Sequence, residues 1–138
     1  MQLTDQEKEL ISMSFMKVAM NQEKVTQLFY GCLFETAPET RHLFKNADMR
    51  EQGRKLMQTL ATVVGSLHRL DALAEDLFAL GRRHIAYGVS QEQYDLVGSV
   101  LFYTLEEALK EDFTPETKAA WIKVYTLLTE SITRAYAG

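Results

Sequence analysis

Cysteine is nearly absent: Cys32 stands alone, so neither an internal disulfide nor a multi-cysteine metal site can form within the chain. An intermolecular bridge through Cys32 stays open. Only two prolines and seven glycines interrupt the sequence, and no alternating apolar–polar stretch persists, which argues against a sheet protein. No run of Lys and Arg exceeds two residues and the net charge is −4, so a nucleic-acid or anionic-membrane partner is disfavoured. No segment approaches the roughly 20 apolar residues of a membrane span, so membrane insertion is not expected. The first twenty residues carry Asp5, Glu7 and Glu9 and do not read as a secretory signal. A cytoplasmic protein is the default expectation.

What is present suits one helical domain over residues 1–138. Apolar residues make up 46% and charged residues 25%, enough for one core and too balanced for disorder. Thr4-Asp5-Gln6-Glu7 is a capping box, opening a helix with Leu10, Ile11, Ser14, Phe15 and Val18 inward. A second helix carries Val25, Leu28, Phe29, Cys32 and Leu33, and Pro38 either interrupts it or starts a short helix through Phe44. After the polar stretch from Lys45 to Arg50 comes a long helix with Gln52, Leu56, Thr59, Leu60, Val63 and Leu67 on one face. Gly65 marks either a close packing contact or a weak spot. Asp71 can cap the next helix, which runs towards Gly88. Ser90-Gln91-Glu92-Gln93 is a second capping box, followed by Tyr94, Val97, Leu101, Thr104, Leu105 and Ala108 inward. Thr114-Pro115 opens the last helix, with Ala120, Trp121, Val124, Leu128 and Ile132 inward. The pattern predicts an all-α fold of six longer helices and a short one.

One position breaks the apolar pattern. Leu73, Leu77 and Leu80 form a stripe at helical spacing, and the next step of four lands on His84. Arg82 and Arg83 flank it. A buried imidazole is best kept neutral, with one donor nitrogen and one lone pair. That lone pair suits a metal ion. Spacing alone leaves two readings: a core histidine bonded to a backbone carbonyl, or a metal ligand. Gln52 and Leu56, four apart on the long helix, together with Tyr30, could form the opposite wall of a small-ligand site. A solvated Gln52 and a surface Tyr30 are equally allowed by the spacing.

The landmarks, taken in order, resemble a family. They are Phe29-Tyr30 with Leu33-Phe34, Pro38, Leu43-Phe44, Gln52 with Arg54-Lys55-Leu56, and Leu80-Gly81-Arg82-Arg83-His84. Tyr87-Gly88-Val89, Tyr94 with Val97-Gly98, Phe113-Thr114-Pro115 and Ala119-Ala120-Trp121 complete the series. This order resembles the globins across essentially the whole chain. It is close to the single-domain bacterial haemoglobins and the globin domain of flavohaemoglobins, and it also resembles the neuroglobins. The resemblance implies a globin fold around haem b (iron protoporphyrin IX), with His84 as the proximal iron ligand. Tyr30, Gln52 and Leu56 would line the distal side, and Phe44 would pack on the ring. Lys55 and Arg83 would face the propionates, while Val89, Tyr94 and Val97 would lie against the porphyrin.

Departures from the pattern carry their own expectations. Neuroglobins place an iron-ligating histidine where Gln52 stands, and an amide is a poor iron ligand, so bis-histidine ligation is not expected. His42 and His68 read as surface residues. Flavohaemoglobins pair a tyrosine and a glutamate behind the proximal histidine. Tyr94 matches the tyrosine, but the glutamate position falls near Tyr136, and Glu130 comes almost two turns too soon.

The resemblance therefore implies reversible binding of O2, with NO or CO as further ligands, for storage or delivery. The alternatives are a nitric-oxide dioxygenase served by an external reductase, and a haem-based gas or redox sensor module. A haem-free bundle with a core histidine is the plainest competitor. A monomer or weak dimer is expected.

Overall fold

The computed structural model describes residues 3–69, 74–86 and 90–137. Among the described residues there are six α-helices: α1 Asp5–Ala19, α2 Gln22–Thr36, α3 Met49–Gly65, α4 Ala74–Ala86, α5 Gln91–Leu109 and α6 Pro115–Ala137. A 3-10 helix, Pro38–Phe44, links α2 to α3 and begins on its proline. There proline fits, because its fixed φ suits a first turn and its missing N–H needs no partner. No strand occurs among the described residues.

The expected helix starts are built as the sequence implies. Thr4 Oγ1 accepts the Glu7 N–H at 3.1 Å, and the Glu7 carboxylate accepts the Thr4 N–H at 2.7 Å. At α5 the Gln93 side chain accepts the Ser90 N–H at 2.9 Å. Before α6, Thr114 Oγ1 accepts the Thr117 N–H at 3.2 Å. A cap the sequence reading did not single out is Asp48, whose carboxylate accepts the Arg50 and Glu51 N–H groups at 3.0 and 3.4 Å. It turns the polar stretch before α3 into a defined start.

Helix α6 packs on α1, α4 and α5, while α2 packs on α3 and α5. Ile11, Val18, Leu105, Ala120, Trp121 and Val124 form the sealed centre. One polar chain runs through it. The Trp121 Nε1 donates to Ser14 Oγ at 2.8 Å, and Ser14 Oγ donates to the Leu10 carbonyl at 2.7 Å. A Ser14→Ala variant strands the indole N–H away from water. The expected loss is about 1–3 kcal/mol, read as a lower urea midpoint at unchanged slope.

A second tie joins α1 to α6: Lys123 Nζ lies 3.0 Å from the Glu7 carboxylate, with both side chains about three-quarters covered. The Thr4 main-chain N–H, and then Lys123, hold the Glu7 carboxyl below its ordinary range. A depressed folded-state value stabilises the fold above the unfolded value of about 4.3, and the gain vanishes as pH falls through the folded value. Urea midpoints measured down from about pH 5 should therefore fall more steeply for the native chain than for Glu7→Gln.

Two expectations are corrected, and the open alternative at Gly65 is decided. Thr59 is exposed, its hydroxyl donating to the Lys55 carbonyl at 2.9 Å, and α3 buries Gly53, Met57 and Val63 instead. Ala108 is exposed, and Leu109 takes the inner position. Gly65 ends α3 exposed, with open space where a Cβ would stand, so it makes no close packing contact. Asp71, Leu73, Gly88 and Val89 lie outside the described residues, as do the side chains of Leu77 and Tyr136.

Candidate functional site

Leu80 and His84 sit one turn apart on α4, the helix that packs on α6. Leu80 lies against the small cluster of Tyr94, Leu128 and Ile132. His84 is half-buried, while Arg82 and Arg83 on either side are exposed. The His84 Nδ1 is 2.7 Å from the Leu80 carbonyl oxygen. A carbonyl only accepts, so Nδ1 carries a proton, and the lone pair of a neutral ring lies on Nε2. This bond is the one the plain core-histidine reading foresaw. It is also the bond that orients a metal-binding imidazole and raises its basicity.

Behind this ring stands Tyr94, buried, with its centroid 5.9 Å from that of His84 and the planes tilted by 34°. Its position is set from α6. The Tyr125 hydroxyl donates to the Tyr94 carbonyl at 2.5 Å. Burial, with Asp95 nearby, pushes the Tyr125 phenol well above its ordinary value, so it remains a donor. Tyr125 fits only because position 98 is glycine: a Cβ there would stand 2.6 Å from the Tyr125 ring. Tyr125 was missed by the sequence reading, since it lies beside the α6 stripe rather than on it. Val97, one turn beyond Tyr94 on α5, is half-buried.

On α2, Tyr30 belongs to an aromatic nest. Its ring centroid lies 5.0 Å from Phe29, 5.5 Å from Phe44 and 6.1 Å from Phe34. Burial pushes its phenol up to about 12, so the hydroxyl keeps its proton. That hydroxyl donates to the Gln52 main-chain carbonyl at 3.4 Å, the long end of the range. Tyr30, Phe44 and Gln52 are thus one neighbourhood. The contact is made possible by the α2–α3 crossing, where a Cβ on Gly53 would stand 2.8 Å from Thr26 Oγ1. Neither Thr26 nor Gly53 was foreseen; a glycine inside a polar helical turn was the available signal.

Leu56, Tyr30, Phe44 and Val97 all pack against the same apolar cluster. Gln52 is half-buried, while Lys55 is exposed. His42 and His68 are exposed. No group of three or more His, Cys, Asp or Glu able to hold a bare metal ion occurs among the described residues. The donor described on α4 is a single oriented imidazole with the Tyr94 ring beside it. It suits a large flat cofactor that brings its own equatorial ligands and leaves one axial bond to the protein.

Comparison with known proteins gives the same direction. Residues 27–132 match the family model described as Globin. Neuroglobin-1 of Oncorhynchus mykiss is 27% identical, the match covering 98% of this chain and 93% of that protein. Flavohemoprotein B of Dictyostelium discoideum is 28% identical over 78% of this chain, which spans only 26% of that longer protein. Among solved structures, an engineered carbene transferase derived from a Rhodothermus marinus protein regarded as a nitric oxide dioxygenase superposes with a TM-score of 0.84. It is 26% identical and covers 99% of this chain and 95% of its own.

Proposed function

Since this chain belongs to the globin family, whose members hold haem b and bind oxygen, we propose that it binds oxygen reversibly through a haem ligated by His84. Tyr30, Gln52 and Leu56 are assigned to the gas-binding side. Phe44, Val89, Tyr94 and Val97 are assigned to contacts with the ring, and Lys55 and Arg83 to its propionates. Held by His84, a haem would supply a ferrous iron able to bind a diatomic gas. The observation that carries the reading is the 2.7 Å bond between His84 Nδ1 and the Leu80 carbonyl. It holds the proton on Nδ1, so that the lone pair of the neutral ring lies on Nε2, the atom assigned to the iron.

The remaining roles follow from what each side chain can do. Tyr30 has a protonated hydroxyl in a buried aromatic setting, so it can donate to a ligand that draws electron density. The Gln52 amide can donate as well, and it binds iron poorly, which keeps the open position free. Leu56 and Phe44 exclude water.

A second reading is nitric-oxide dioxygenation, favoured by the likeness to the Rhodothermus marinus protein and to Flavohemoprotein B. In it, nitric oxide and oxygen become nitrate with one electron from a separate reductase. Purified protein reduced under nitrogen and then cycled through air should give the same two spectra on every round. Rapid nitric-oxide consumption with a flavin reductase, and no stable oxygenated spectrum, would instead favour the second reading. Absence of a Soret band after haem addition would reject both.

A further inference from the structure

A cleft of about 670 Å3 opens between α2 and α3 on the outer side of Tyr30. Its outer edge is charged: Arg50 Nη2 lies 2.9 Å from Glu23 Oε1, joining the two helices, and both side chains are largely exposed. Arg54 pairs with Glu51 along α3, and both also line the cleft. Its inner wall is Thr26, at the tight crossing with Gly53, and Tyr30. Beyond Tyr30 lies Phe44, and its hydroxyl reaches the Gln52 carbonyl. Tyr30 therefore borders both the cleft and the other residues assigned to gas binding.

We propose that this cleft is a transient binding place for the neutral diatomic gas, on an access route that reaches the site past Tyr30, with the Arg50–Glu23 ion pair standing across its mouth. The inference rests on the haem-site reading above. Two features select the ligand class. Both arginines are already matched by carboxylates, so the cleft offers an anion no unpaired cation to hold it, whereas an uncharged gas needs none. The volume far exceeds that of a diatomic molecule, which rests there only briefly. Two features make the route passable. The ion pair bridges two helices at the surface and is worth little in water, so it opens often. The Tyr30 hydroxyl is held by a long hydrogen bond, so it can turn aside at small cost while its ring stays against Phe29, Phe34 and Phe44.

A gate outside the site changes a barrier and leaves the bound and free states alone, so both rates must change by one factor. Flash photolysis with carbon monoxide, paired with displacement of carbon monoxide by nitric oxide, measures the two rates. Arg50→Ala should raise association and dissociation together, about two- to fivefold, with the equilibrium constant unchanged. High salt should do the same to the native chain and little to the variant, because screening already opens the pair. Gln27→Trp, an exposed cleft residue enlarged, should slow both rates together. Dissociation changing alone would overturn the proposal, because Arg50 would then be acting on the held gas. Unchanged rates in both variants would overturn it as well, placing the route elsewhere. A chain that takes up haem but follows neither pattern refutes the gate alone, whereas one that takes up no haem refutes the reading beneath it and the gate together.

Discussion

Haem affinity should fall at least about a hundredfold in a His84→Ala variant, and the ferrous spectrum of the native chain should be lost. The size of the effect follows from what neighbouring groups are worth. Residues that only orient a metal ligand typically change affinity or activity 10–100-fold, so removal of the ligand itself must cost more. On the proposed assignment the Leu80 carbonyl is such an orienting group, and it stays in place in the variant because it belongs to the main chain of α4. His84→Gly gives a sharper form of the test. It leaves space for free imidazole, which restores a nitrogen donor without restoring the peptide link. Recovery of the native spectrum with added imidazole is the expected result. Had His84 been only a satisfied core residue, its loss would lower stability and leave haem uptake unchanged. Titrating apoprotein with haem while following the Soret band separates these outcomes, and a denaturation curve on the same sample records the fold.

How much of this could be read before the structure depends on the range of each interaction. Caps are local, so Thr4, Ser90 and Thr114 announced their helices within four residues, and each is satisfied as expected. The stripe that exposes His84 is also local, a matter of steps of three and four. Periodicity failed at the edges of stripes. Thr59, three residues from Leu56, falls outside the buried face of α3, where Gly53, Met57 and Val63 lie inward. Close approaches between helices left almost no trace. Gly65 drew attention but is exposed, whereas Gly53 and Gly98 are the glycines against which Thr26 and Tyr125 press. A glycine shows its value only against a partner remote in the chain, and nothing near residue 98 names Tyr125. The same holds for Trp121 and Ser14, 107 residues apart. The roles of Gln52 and Tyr30 came from family resemblance. Physical reading alone could say that an amide and a phenol were placed to face inward, and left solvent as an equal alternative.

The last expected result concerns that phenol. Oxygen should leave a Tyr30→Phe variant at least about tenfold faster, while carbon monoxide should leave at nearly the native rate. Phenylalanine keeps the ring against Phe29, Phe34 and Phe44, so the aromatic nest stays filled and only the hydroxyl is lost. Bound oxygen carries partial negative charge and carbon monoxide very little, so a donor discriminates between them. A hydrogen bond to a charged group is worth about 1.5–3 kcal/mol, and about 1.4 kcal/mol is tenfold in an equilibrium constant. Most of that difference belongs to release, because a short-range bond to a gas already in place does little to its approach. The bond from Tyr30 to the Gln52 carbonyl is long, so little is lost when the hydroxyl turns to a ligand instead. Burial holds the phenol at about 12, against an ordinary value of 10.0, which fixes the pH profile. The oxygen release rate of the native chain should be flat through about pH 10 and rise as Tyr30 ionises near its raised value, where the donor proton is lost. The Tyr30→Phe chain should be fast throughout and show no such rise. A native profile that climbs in step with an exposed tyrosine, or an oxygen release rate unmoved by the substitution, would remove Tyr30 from the gas-binding side.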